Sequence, residues 1–184
     1  MTNPTLHTPR LLLRPWQSSD LEYFAKINTD PKVMEFYPHL LTREESDKLA
    51  EKFHNHFSIH GYGFWAVEIP NIAKFIGYIG LNYWNLDTKF APCIDIGWRL
   101  AFNHWGFGFA TEGAKAVLQF GFETMKIPEI VSISTFKNIR SQRVMQRLGM
   151  KHNPSENFEH PKLPSGHPLS LRVLYRLKRN EWNF

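Results

Sequence analysis

The chain has 184 residues, of which 42% are apolar, and a formal net charge of +5. That size suits one domain, residues 1–184, with a real core and excludes a disordered chain. No apolar run is long enough to cross a membrane, "MTNPTLHTPR" lacks the basic stretch and apolar block of a secretory leader, and the one cysteine, Cys93, excludes an internal disulfide and points to a reducing cytoplasm.

In chain order, "RLLLRPW" (Arg10 to Trp16) predicts a strand. Ser19 and Glu22 have the spacing of a capping box, followed by Leu21, Phe24, Ala25 and Asn28 at helical intervals. Thr42 and Glu45 form a second box and open a longer helix that ends before Gly61. "GFWAVEI" (Gly63 to Ile69) and "KFIGYIGLNYW" (Lys74 to Trp84) alternate as a hairpin around Pro70-Asn71. "CIDIGWRLAF" (Cys93 to Phe102) is a further strand, and Gly97 in its middle predicts a bulge or a close approach. From Ala110 the period changes, with Ala110, Ala114, Val117, Leu118, Gly121, Phe122 and Met125 on one helical face. "EIVSISTF" (Glu129 to Phe136) is a strand, "IRSQRVMQRLG" a short helix closed by Gly149, and "SLRVLYRLKR" (Ser170 to Arg179) the last strand. The Pro-rich stretch before it has room for one more strand. The order predicts a mixed sheet with helices packed on it.

"HWGFGFATEGA" (His104 to Ala114) stands where a strand gives way to a helix. It is not a Walker A loop, because Phe109 and Ala110 follow Gly108 where Lys and Ser/Thr belong. It is not a dinucleotide fingerprint, because the third glycine position is Thr111. Two readings remain. One is a plain turn. The other is a short cradle in which Gly106 and Gly108 clear the way for main-chain N–H groups, and the start of the helix adds its free donors and positive dipole end to hold a pyrophosphate.

The stretch "WGFGFATEGAKAVLQFGF", the strand after it and "NIRSQRVMQRLGM" together resemble the GNAT superfamily of acyl-CoA-dependent N-acetyltransferases, most closely its Rim-type branch. "TPRLLLRPWQSSDLEYF" and "VLYRLKRNEW" extend the resemblance over nearly the whole chain. It implies an α/β fold: a mixed, mostly antiparallel sheet of about seven strands flanked by about four helices. It implies acetyl-CoA as cosubstrate, no metal, and a primary amine as acceptor, with a protein N-terminus among the candidates. It implies a monomer or homodimer, with neither nucleic acid nor membrane as partner. In the family's Gln/Arg-x-x-Gly-x-Gly/Ala motif, Trp105 takes the first position, Gly108 the glycine and Ala110 the last. The cofactor's phosphates would then lie against Trp105, Gly106, Phe107, Gly108, Phe109, Ala110 and Thr111. The strand at Trp98, Arg99 and Leu100 would pair with the pantetheine arm, and Asn138 would bond that arm. Ser141 would start a helix near the thioester sulfur. The tyrosine that many relatives use to protonate the departing thiolate is Met145 here, so Ser141 is the matched candidate acid, with Tyr78, Tyr83 and the histidines as alternatives.

Each residue also has a plainer role. Asn138 is a good helix N-cap. Asp95, an acid in an apolar strand, is a general base or a salt-bridge partner. Arg140, Arg143, Arg147 and Lys151 are a solvated face or, at Arg143 above all, a contact to the cofactor's nucleotide phosphate. His54, His56 and His60 lack the companions of a zinc site. His160 and His167 sit on a proline-rich loop that could line the acceptor site.

Direct attack of an amine on a thioester demands proximity, oxyanion stabilisation near Trp98 and two proton transfers. An α-amino group titrates near 8, so freeing it at pH 7 costs about 1.4 kcal/mol, whereas a lysine-like amine costs roughly 4–5 kcal/mol. No strong base announces itself, which favours an amine of low pKa. The rival classes are a non-catalytic acyl-CoA sensor of the same fold and, from the basic charge, a nucleic-acid binder, for which no stacking motif is present.

Overall fold

The computed structural model describes residues 4–164 and 166–183; residues 1–3, 165 and 184 of the chain lie outside them. Its strands are β1 (Leu6–His7), β2 (Leu12–Arg14), β3 (Phe64–Ile69), β4 (Ala73–Trp84), β5 (Cys93–Leu100), β6 (Glu129–Thr135), β7 (Lys151–His152), β8 (Phe158–Glu159) and β9 (Leu171–Lys178). Its helices are α1 (Asp20–Asn28), α2 (Arg43–His60), α3 (Phe109–Gln119) and α4 (Ile139–Arg147). Among the described residues the strands form one sheet in the order β1-β2-β3-β4-β5-β6-β9-β7, with β8 also on β9. Every pairing is antiparallel except β5 with β6. This is the mixed, mostly antiparallel sheet with four helices that the resemblance implies. Three of its strands have only two residues.

Both faces are covered. On one, Leu81, Ile96, Val117, Leu118, Phe122, Val173 and Tyr175 form the core beneath α3. On the other, Phe24, Ile27, Ala50, Phe75 and Tyr78 pack beneath α1 and α2. Trp16, Phe24, Phe53 and Phe64 add a nest of tilted and edge-on rings there. Much of the aromatic content is therefore core.

Local sequence explains most ends. The Thr42–Glu45 capping box forms in both directions, and Gly61 closes α2 at φ +71. The Ser19 box does not form, since Ser19 makes no side-chain cap bond. Asp20 is drawn instead into a buried fork with Arg14, at 2.8 and 2.9 Å, and also accepts from the Gln17 N–H. α3 widens into a π turn at Phe120–Thr124, which carries Met125 off the buried face. β5 runs against β4 without a bulge. Gly97 is there for close approach: a Cβ would sit 3.3 Å from the Phe64 ring.

Candidate active site

β5 turns one edge of its main chain to β4 and the other to β6. The Ala101 N–H donates to Ile76 O at 2.8 Å. By antiparallel alternation, Arg99 and Gly97 also face β4, whereas Ile96, Trp98 and Leu100 face β6. The parallel pairing toward β6 is confined to Asp95 opposite Val131. Two side chains then tie the strands: Asp95 Oδ1 accepts from the Ile133 N–H at 3.1 Å, and Ser132 Oγ donates to Ile96 O at 2.9 Å. No further β5–β6 pair follows. A cleft of about 1290 Å³ opens at this point and passes from the Val33–Tyr37 segment to α3 and α4.

The glycine loop forms one wall. Gly106 has φ +84 and Gly108 φ +83. A Cβ at Gly106 would meet nothing within 4 Å, and one at Gly108 only Arg10 Nη2 at 3.6 Å. The left-handed backbone, rather than crowding by the chain itself, is what demands glycine here. Gly108 is the N-cap of α3 and supplies no side-chain cap, so the first-turn N–H groups at Phe109, Ala110 and Thr111 are left to a ligand. Trp105 anchors the loop by donating from Nε1 to Leu100 O at 2.8 Å, and its face carries the Arg140 guanidinium. Phe107 is exposed and stacked on Phe109.

Arg10 is a cation beside the glycine loop that local sequence does not reveal. Its guanidinium lies over the Phe109 ring at 4.7 Å, beside Gly108. Glu112, 102 positions along the chain, holds it at 2.7 Å and also binds the Thr8 hydroxyl at 2.6 Å. Together they fasten the amino-terminal segment across the start of α3.

Asn138 caps α4, its Oδ1 accepting from the Ser141 N–H at 3.1 Å, and both residues line the cleft. Arg143 and Arg147 line it from the same helix, exposed. Arg140 is paired with Glu35, and Lys151 with Glu181, so the basic run is divided among separate tasks. Met145 is fully buried in the inner wall.

Asp95 is partly open to the cleft. Burial of its carboxyl pushes its titration up to about 8, against the pull of the Ile133 N–H bond. Tyr78 lies in the same cleft, buried, with its hydroxyl pushed well up by burial. Tyr83 is elsewhere, exposed and stacked with His60. His104 lines the cleft, and burial lowers its pKa. His160 packs edge-on against Trp84, while His167 Nδ1 accepts from the Leu169 N–H; neither lines the cleft. Among the described residues no group of three or more His, Cys, Asp or Glu is placed to hold a metal ion, and no helix is long and apolar enough to cross a membrane.

The model of the acetyltransferase (GNAT) domain matches residues 10–151. The chain is 29% identical over 181 residues to a Bacillus subtilis protein named uncharacterized N-acetyltransferase YnaD, covering 96% of this chain and 98% of that one. It is 27% identical to the FsC-acetyl coenzyme A-N(2)-transacetylase of Aspergillus fumigatus, over 97% of this chain and 78% of that one. Among solved structures, a GNAT-family acetyltransferase from Bacillus anthracis superposes with TM-score 0.79 at 24% identity, covering 97% and all of the respective chains. RimL, titled ribosomal L7/L12 alpha-N-protein acetyltransferase in complex with coenzyme A, does so with TM-score 0.76 at 15% identity, over 97% and 99%. These two are likenesses of fold.

Proposed function

The chain belongs to the GNAT acetyltransferase family and is an enzyme that uses acetyl-CoA; from that premise we propose that it transfers the acetyl group directly to an α-type primary amine of low pKa, on a peptide N-terminus or a small molecule. The observation that carries this is the edge of β5. Beyond the Asp95–Val131 pair, Trp98 and Leu100 turn their N–H groups into the cleft, a short step from the glycine loop that starts α3.

The cosubstrate fits these residues. The left-handed glycines and the uncapped first turn of α3 suit a pyrophosphate, and Arg143 supplies positive charge beside it. The free edge of β5 pairs with the amide-bearing arm as a strand would. Asn138 spends its Oδ1 on capping and keeps its amide N–H groups for the same arm. The Trp98 N–H then faces the thioester carbonyl, where negative charge develops as the amine attacks.

Asp95 takes the ammonium proton, directly or through one water. A carboxyl titrating at about 8 matches an α-amino group, which titrates near 8, so the proton moves with little net cost. Ser141, on the first turn of α4, passes a proton to the departing thiolate and takes in its place the second proton shed by the attacking nitrogen, so that one proton ends on sulfur and one on Asp95. The names of two similar proteins point the same way: one acts on an N(2) position and the other on a protein α-amino group. The single thiol, Cys93, suits the cytoplasm.

Calorimetric titration of acetyl-CoA into the wild type and Gly108→Trp tests the cradle. The wild type is expected to bind at micromolar affinity and the variant, checked for folding by thermal melt, to lose binding. A wild type that does not bind, or a folded variant that binds unchanged, would refute it.

A further inference from the structure

The protein handles its half-buried and buried arginines in two ways. Arg14 is forked onto Asp20 and bonded to Glu68. Arg176 is bonded to Glu129 and Glu156. Arg99 and Arg172 have no carboxylate partner among the described residues. Both line the cleft. Arg99 is 7% exposed; it donates to Asn28 Oδ1 at 2.5 Å and stacks over the Tyr37 ring at 4.0 Å. Arg172 sits on β9 beyond the gap, opposite Thr135. In each, the Nε atom is buried and makes no hydrogen bond. Leaving a buried guanidinium N–H unpaired is costly.

The two side chains share a face. Ile96 and Leu100 belong to the core beneath α3, so Arg99, on the alternate parity of β5, projects to the side of α1 and α2. Val173, Tyr175 and Leu177 belong to that same core, so Arg172 projects to the side of α1 and α2 as well. Both guanidiniums interact electrostatically with the Tyr37 hydroxyl. The glycine loop and α3 lie at the other side, so the pair stands apart from the phosphate cradle. Asp95 shares the parity of Arg99 and lies at the gap itself, but is not bonded to either arginine.

We infer that Arg99 and Arg172 form an anion subsite of the acceptor, and that the amine acetylated here carries a carboxylate a few bonds from its nitrogen. This rests on the proposed transfer to an α-type amine and narrows it. The carboxylate accepts from the guanidinium N–H groups that face the cleft, and the amine is thereby held over the gap beside Asp95. An acidic first residue of a peptide and the α-carboxylate of a free amino acid supply the same chemistry.

Matched amines separate these cases. Thiol release from acetyl-CoA is followed with an Asp-headed against an Asn-headed tripeptide amide, and with free alanine against alaninamide, each rate expressed per unprotonated amine because the carboxylate on the same carbon raises the amine pKa of alanine. The wild type is expected to prefer the carboxylate-bearing member of at least one pair by about tenfold or more in kcat/KM. The peptide pair identifies a peptide acceptor, and the amino-acid pair a small one. In Arg172→Gln that preference collapses toward unity through KM, while the acetyl-CoA dissociation constant is unchanged; Arg172→Lys restores part of the preference. Equal turnover of both members of both pairs by the wild type overturns the inference and leaves the transferase reading standing. An equal loss on charged and neutral amines in a folded Arg172→Gln, or weakened acetyl-CoA binding in it, also overturns it. A wild type that binds no acetyl-CoA and releases no thiol with any amine overturns the underlying reading and this inference with it.

Discussion

Along β5, the edge toward β4 carries eight consecutive pairs, from Cys93 with Trp84 to Leu100 with Gly77, while the edge toward β6 carries one, Asp95 with Val131. The first edge spends its main-chain groups on the sheet. The second keeps the main-chain groups of Trp98 and the N–H of Leu100 for the cleft, gives the Leu100 carbonyl to Trp105 Nε1, and substitutes two side-chain ties, from Ser132 and Asp95, for the ladder. One strand is thus scaffold on one side and site on the other. A free edge of this kind can be kept in register only because the opposite edge is fully paired.

The largest expected effect comes from weakening the paired edge. Ile79 lies opposite Trp98, is fully buried, and supports α3 so closely that a Cβ on Gly113 would come within 2.5 Å of its Cδ1. Ile79→Ala should cost about 2–5 kcal/mol in urea unfolding. Variant that remains folded should still bind acetyl-CoA with near wild-type affinity. A stability loss under 1 kcal/mol, with binding abolished, would erase the division between scaffold and site.

The next effect isolates the open edge. Asp95→Asn retains an oxygen to accept from the Ile133 N–H but cannot take a proton. We expect kcat/KM to fall by about 10²–10⁴ with acetyl-CoA binding unchanged. Because the base works ionised and burial holds its pKa at about 8, the wild-type rate should rise as pH climbs through about 8, and the residual rate of the variant should lose that inflection. The stability effect has a definite sign. The folded state holds the Asp95 proton more tightly than the unfolded chain, so this group makes stability fall as pH rises from about 4 to about 8 and then level off. Asp95→Asn should remove that slope. A variant with full activity and an unchanged pH profile would leave Asp95 as a strand tie alone.

How much of this was legible in the sequence follows from the range of each signal. Alternation and helical period revealed the long strands and α3, because each is a local pattern. The three two-residue strands carry no period and are set by contact with β2 and β9. The Thr42 box was legible and formed. The Ser19 box was legible and did not form: Ser19 keeps a helical backbone with no side-chain cap bond, and Asp20 instead accepts from the Gln17 N–H and pairs with Arg14. The glycine loop announced itself as a left-handed turn into a helix. Arg10 did not, since only the fold brings it to Gly108. Likewise the alliance of Arg99 with Arg172 depends on which face each strand presents, and a shift of one residue in register would reverse it.

The smallest effect concerns the tie that bounds the gap. Ser132 Oγ is buried and donates to Ile96 O at the last position before the strands separate. Ser132→Ala removes one neutral hydrogen bond and leaves a carbonyl short of a donor, which should cost about 1 kcal/mol. The Asp95–Val131 pair and the Asp95–Ile133 bond remain, so the width of the gap should hold and KM for acetyl-CoA should change by less than about threefold, the equivalent of about 0.65 kcal/mol. Thermal unfolding and steady-state kinetics on the same preparation read both. If stability is unchanged and KM rises steeply, Ser132 is itself a contact to the cosubstrate and the open edge of β5 begins one residue earlier than the pairing indicates. If both fall together, the two ties act as one unit, and the opening of the sheet depends on side-chain bonds as much as on the main-chain ladder beside it.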